Sequence, residues 1–126
     1  MIAPQPKPEL GIILFAHGSR DALWRLPIEA VAAQIKSRSP NLPVRCAYLE
    51  LCAPDLPEAT IDLIAAGARK IRVLPLFLGV GKHAREDLPQ LMAQLHADHP
   101  QIEFELLPTA GENAGLIALL AELAVA

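Results

Sequence analysis

The chain switches repeatedly between two hydrophobic periods, and the switching predicts its architecture. Leu10–Ala16 (LGIILFA) is an unbroken apolar run, as expected of a central strand covered on both faces. Between Pro27 and Arg38, Ile28, Val31, Ala32 and Ile35 fall at helical spacing, and Pro27 suits a first helical turn. Val44–Glu50 reads as a second strand, bounded by Pro43 and Pro54. Asp55, Pro57 and Glu58 supply the cap and first turn of a second helix. That helix is expected to bury Ile61, Ile64, Ala65 and Ala68, with Gly67 near its end. Ile71–Leu74 reads as a third strand. Pro75 lacks the N–H that a ladder needs, so pairing is expected to fail there while Leu76–Gly79 runs on as an extended arm. Asp87, Leu88, Pro89, Leu91, Met92 and Leu95 describe a third helix, closed by His99-Pro100. Ile102–Leu106 alternates apolar residues with Glu103 and Glu105, the mark of a sheet edge. Leu116, Leu119, Leu120 and Leu123 make a fourth helix.

Strands alternating with helices imply parallel pairing and right-handed crossovers. The expected fold class is therefore α/β: a single-domain, four-stranded parallel sheet in the order 2-1-3-4, with helices on both faces. The domain is expected over residues 10–126, after an extended N-terminal lead-in at 1–9 (MIAPQPKPE). A chain of 126 residues suits one domain and is short for two.

Composition removes several function classes. Net charge is −3 and the basic residues are dispersed, which argues against a nucleic-acid or membrane-surface protein, since either needs a strong positive field. Leu10–Ala16 is far shorter than the ~20 residues of a membrane span, and the N-terminus carries no basic segment followed by a cleavage site. Cys46 and Cys52 lack CxxC or zinc-knuckle spacing. Free thiols fit a reducing compartment, so the expected location is the cytoplasm.

In parallel sheets of this kind, ligands bind at the carboxyl ends of the strands, near the point where strand order reverses. His17-Gly18-Ser19-Arg20 follows the first strand, Glu50 closes the second, and Gly79-Val80-Gly81-Lys82-His83-Ala84-Arg85 follows the third. Two histidines and a carboxylate thus converge on one rim from three neighbouring strands. Neutral imidazole and carboxylate suit Fe²⁺, Co²⁺, Ni²⁺ or Zn²⁺, and three protein ligands leave positions open, as a working site requires. His96 and His99 read as a solvated helix face. Gly79-Val80-Gly81-Lys82 fails the P-loop pattern, because Leu76 and His83 stand where Gly and Ser or Thr are needed. Ser19 lies near His17 but outside any G-x-S-x-G elbow, which sets a serine hydrolase aside.

H-G-S-R at 17–20, E-L-x-x-P-D-L-P at 50–57 and P-L-F-L-G-x-G-x-H at 75–83 together resemble the CbiX/SirB class of sirohydrochlorin chelatases, from about residue 10 to about 108. The resemblance implies a chelatase-like half of a two-lobed fold, in a short form that acts as a homodimer. It implies insertion of a divalent metal (Co²⁺, Fe²⁺ or Ni²⁺) into sirohydrochlorin, on the way to cobalamin or sirohaem, with no organic cofactor. His17 and His83 would hold the metal and accept protons, with Glu50 as auxiliary base or third ligand. Ser19, Arg20, Lys82 and Arg85 would meet the substrate's polar rim, and Gly79 and Gly81 would let the loop approach a flat ring or flex on binding. The competing reading is a metal or tetrapyrrole carrier on the same fold, without turnover.

Overall fold

Four strands, β1 (Leu10–Ala16), β2 (Val44–Tyr48), β3 (Lys70–Pro75) and β4 (Glu103–Leu106), form one sheet in the order β2-β1-β3-β4. Every pairing is parallel. They alternate with helices α1 (Leu26–Arg38), α2 (Leu56–Ala65), α3 (Lys82–Asp98) and α4 (Ala114–Val125). This computed structural model describes residues 9–126. The expected lead-in lies outside the described residues except for Glu9, whose carbonyl accepts hydrogen bonds from Arg69 (2.6 Å) and Lys70 (3.0 Å).

β1 is buried from Gly11 to Ala16, as its apolar run predicts. Ile13 and Phe15 face α2 and α3 in a core with Leu56, Leu63, Ile71, Val73, Leu88 and Ile102. Leu14 lies on the opposite face, toward α1, where Cys46 Sγ approaches the Ile28 carbonyl at 3.9 Å. Neither α1 nor α4 contains a buried residue, so this second face is thinly covered. A gap of about 250 Å³ between these two helices is lined by Pro27, Ile28, Val31, Leu76 and Leu116, among others.

The second helix begins as expected: Asp55 accepts from the Glu58 amide and Glu58 from the Asp55 amide, a complete capping box. Within the helix, its buried face meets the expected one only at Ile64, which packs half-buried against the core. Leu56, Ala59, Thr60 and Leu63 point inward, while Ile61 is 59% exposed. Two stripes of similar apolarity wind round this helix. The small residues of the observed stripe let it settle on β1, where Gly11 leaves room for Leu63 and Ala68. Thr60 satisfies its buried hydroxyl by donating to the Leu56 carbonyl at 2.8 Å. Ala68 is buried, but beyond the helix: Gly67 (φ +103) lets its own amide reach Ile64 O and that of Ala68 reach Leu63 O, a Schellman closure.

Three further boundaries move. β2 ends at Tyr48 rather than Glu50, because the chain turns away through a left-handed Leu51 (φ +69). Pro75 remains in register with Phe15 on β1. Leu76 N–H donates toward β1, so the nitrogen of Pro75 faces β4, whose pairing has already ended at Val73↔Leu106. Pairing therefore fails on one side only. α3 starts at Lys82, well before Asp87, which puts Pro89 inside the helix. An interior proline costs roughly 3 kcal/mol, and burial of Ala84, Leu88 and Leu95 along one face offsets it.

Candidate active site

His17 is the first residue beyond β1 and is exposed. Its imidazole rests on the ring of Phe77, with centroids 4.3 Å apart and planes inclined by 36°. Phe77 is in turn fixed. Its ring is buried against Phe15, and its carbonyl accepts from Thr109 Oγ1 (2.8 Å) and the Gly111 amide (2.9 Å).

The β1 and β2 loops are tied through the main chain. Leu49 N–H donates to Ala16 O at 2.9 Å and Glu50 N–H to His17 O at 3.0 Å. Glu50 is thus anchored beside His17 by its backbone, with its side chain exposed. Gly18 permits this closeness: its φ is +102, and a Cβ there would overlap the Glu50 carbonyl oxygen.

Ser19 is engaged in shaping its own loop. Its Oγ accepts from the Asp21 amide at 3.0 Å, and Asp21 Oδ1 accepts from the Leu23 amide at 2.9 Å, capping a short 3-10 turn at Ala22–Arg25. Arg20 is exposed beside it. His83, Lys82 and Arg85 were expected on a loop and instead occupy the first turn of α3. All three are exposed, while Ala84 between them anchors the turn in the core. Among the described residues Arg20, Lys82 and Arg85 take part in no ion pair, so their charges are available to a ligand. Gly79 and Gly81 have open space around their α-carbons and need no close approach within the chain.

The expected three-ligand set of His17, Glu50 and His83 is not assembled. Among the described residues no three His, Cys, Asp or Glu side chains gather closely enough to hold an ion. The physical reason is the pair of moved boundaries: Glu50 rides an exposed turn past the end of β2, and His83 is carried on a helix. The structure brings Glu50 to His17 through the backbone, and the β3 arm to His17 through Phe77.

Sequence reasoning missed Phe77, Gly18 and Gly111. Phe77 had a signal in P-L-F-L-G, where a large aromatic stands two residues past the end of a strand. Gly111 had none, since a Cβ there would overlap the Leu78 carbonyl oxygen across a long sequence separation. Tyr48, near Trp24 with ring centroids 6.2 Å apart, has its phenol pushed up to about 12, chiefly by burial. It is therefore neutral near physiological pH and cannot serve as a base.

The CbiX family model matches residues 11–125, which takes in every strand but the first residue of β1, every helix and the whole rim. The chain belongs to the CbiX family. One relative, the sirohydrochlorin cobaltochelatase of Methanothermobacter thermautotrophicus, is 35% identical over 68% of this chain and 59% of its own length. This chain thus spans less than two-thirds of that relative. A CbiX protein from Marinobacter aquaeolei VT8, solved by crystallography, superposes with a TM-score of 0.80 at 32% identity, covering 91% of this chain and 93% of that one. The fold also recurs in the sirohydrochlorin chelatase SirB of Bacillus subtilis subspecies spizizenii, solved in complex with cobalt. There the TM-score is 0.77 at 23% identity, over 90% of this CbiX chain and 49% of SirB.

Proposed function

We propose that this CbiX protein is a sirohydrochlorin chelatase, a lyase-class enzyme that exchanges two pyrrole protons of the macrocycle for one divalent cation, Co²⁺ or Fe²⁺. The observation that carries the reading is His17: exposed, seated on Phe77 and tied to Glu50 at the carboxyl edge of the sheet. The cobaltochelatase name borne by its relative supplies the substrate class.

Insertion needs a group that presents the metal to the ring nitrogens and a group that takes the departing protons. Imidazole can do either near neutral pH. His17 and His83 serve as metal ligand and proton acceptor, and the Glu50 carboxylate assists by accepting a proton or a coordination position. Each turnover consumes one M²⁺ and releases two protons, so charge balances without a redox partner or an organic cofactor. Arg20, Lys82 and Arg85, which take part in no ion pair among the described residues, hold the substrate's carboxylates through charge-assisted hydrogen bonds.

The protein acts as a homodimer whose second copy closes the open side of the site. Support comes from α4, where Ile117, Leu119, Leu120 and Leu123 are exposed, and from the fold's recurrence over about half of SirB. A two-fold contact is the commonest closed assembly. Cys46 and Cys52 are free thiols, which supports the cytoplasm as the place of reaction. No helix among the described residues is long and apolar enough to cross a membrane.

The test is anaerobic insertion of Co²⁺ into sirohydrochlorin, followed by its absorbance change. A rate well above the spontaneous one is expected. Tight binding of metal or tetrapyrrole with no acceleration would make the protein a carrier instead.

A further inference from the structure

Leu51 combines two features that its own fold does not reward. Its backbone is left-handed at φ +69, a conformation disfavoured for a residue with a branched side chain. The Cys52 amide donates to the Glu50 carbonyl at 2.9 Å across it, which makes residues 50–52 a γ-turn of the strained, positive-φ kind. The side chain is nevertheless 52% exposed. The turn itself is needed, because it aims the Glu50 carbonyl at the space left by Gly18. A leucine is not needed for it, since glycine or asparagine would adopt the same backbone at lower cost. Strain kept at an exposed apolar side chain points to a contact made outside the chain.

Leu78 repeats the pattern on the other side. It is 70% exposed, although it follows the buried Phe77, and its backbone is pinned by the close approach of Gly111. Sheet order fixes the relation between the two. Leu51 follows β2, His17 follows β1 and Leu78 follows β3, and β1 lies between β2 and β3. Glu50 joins Leu51 to His17 through the main chain, and the His17 imidazole lies on the residue preceding Leu78. Two exposed leucines therefore flank the histidine, one on each side.

We propose that Leu51 and Leu78 form the apolar seat for the macrocycle's flat face, holding its ring nitrogens over His17 while the basic residues take its carboxylated rim. This rests on the chelatase reading above and adds which side chains position the ring. Covering a half-exposed leucine with a ligand contributes enough apolar burial for about a tenfold change in affinity.

The experiment pairs two measurements on the full chain: fluorescence titration with metal-free sirohydrochlorin, and Co²⁺ insertion kinetics. The variants are Leu51→Gly, Leu51→Asn and Leu78→Ser. Glycine and asparagine both accept the left-handed backbone, so the two Leu51 variants should melt at or above the parent temperature. The expected result is a roughly tenfold rise in Kd and KM for each variant, with kcat within about twofold of the parent. A merely structural role would lower the melting temperature and leave KM alone. Parent-like Kd and KM in all folded variants would overturn the seat while leaving the chelatase reading in place. Binding weakened as expected in a protein that inserts no metal would uphold the seat and sink the chelatase reading. Absence of binding by the parent would overturn both.

Discussion

Gly18 and Glu50 meet so closely that residue 18 has no room for a side chain. The Glu50 carbonyl oxygen occupies the place of a Cβ, and the glycine backbone sits at φ +102. Their contact is what brings the β2 loop onto the His17 loop. Gly18→Ala should therefore cost about 2 kcal/mol or more in stability, because conformational strain and overlap add. It should also slow insertion by more than the stability loss explains, since the loops must part. Thermal melts and Co²⁺ insertion by the folded fraction check both effects.

His17→Ala and His83→Ala should each reduce metal insertion at least a hundredfold. Both side chains are exposed, so truncation opens no core cavity and stability should stay within about 1 kcal/mol of the parent. Glu50→Gln should be milder, about tenfold, because its backbone tie to His17 is unaffected. Circular dichroism establishes folding, and insertion at the parent rate by both folded histidine variants would remove them from the mechanism.

Replacing Arg20, Lys82 and Arg85 together by alanine should raise KM for sirohydrochlorin and flatten its dependence on ionic strength, because exposed pairs are screened by salt. In the proposed reading these cations meet the rim of the substrate and not its reacting centre, so kcat should hold. Initial rates at low and high salt decide it.

Acid should weaken the β3–β4 edge. Arg72 Nε lies 3.1 Å and Lys70 Nζ 3.3 Å from Glu105 Oε2, and these contacts, Arg72 foremost, hold the Glu105 carboxyl below its usual value. A carboxyl lowered in the folded state contributes stability that is present above its unfolded pKa and is lost as pH falls through its folded one. Lys70 is raised by its bonds to Glu103 and Glu105, so its contribution is complete below the ordinary lysine value and lost as pH rises through the raised one. Glu105→Gln should flatten the acid limb of a plot of melting temperature against pH and also reduce the loss on the far alkaline side. An unchanged acid limb would mean the network contributes nothing measurable.

The parts of this fold written in local pattern were legible before any coordinates. The apolar run of β1 marks a central strand, the Asp55–Glu58 pair a helix start and the alternation along β4 a sheet edge, and the observed order β2-β1-β3-β4 agrees with all three. Less local features were not. The start of α3 was hidden because Pro89 resembles a first-turn proline, and only the inward packing of Ala84 shows that the helix begins earlier. The inward face of α2 was ambiguous because leucine and isoleucine stripes compete, and Gly11 on another strand decides between them. At the site, the His17 loop was recoverable from its position after β1, whereas His83, read as a loop residue, stands in the first turn of α3. The seating of His17 on Phe77 and the Leu51 turn were not: the first is a ring contact between residues far apart in sequence, and the second puts a leucine where turn chemistry would call for glycine or asparagine.

The bond from Glu50 to His17 runs from amide to carbonyl and involves neither side chain. Any residue at 17, and any at 50 except proline, which has no amide hydrogen to donate, keeps the same backbone spacing at the rim, provided residue 18 stays glycine. Side-chain chemistry and scaffold are thereby separable: under the proposed chelatase reading, a softer or harder donor at either place would meet the incoming ion from the same main-chain position. Substitution at either side chain therefore alters the donor without breaking the main-chain bond that joins the two loops.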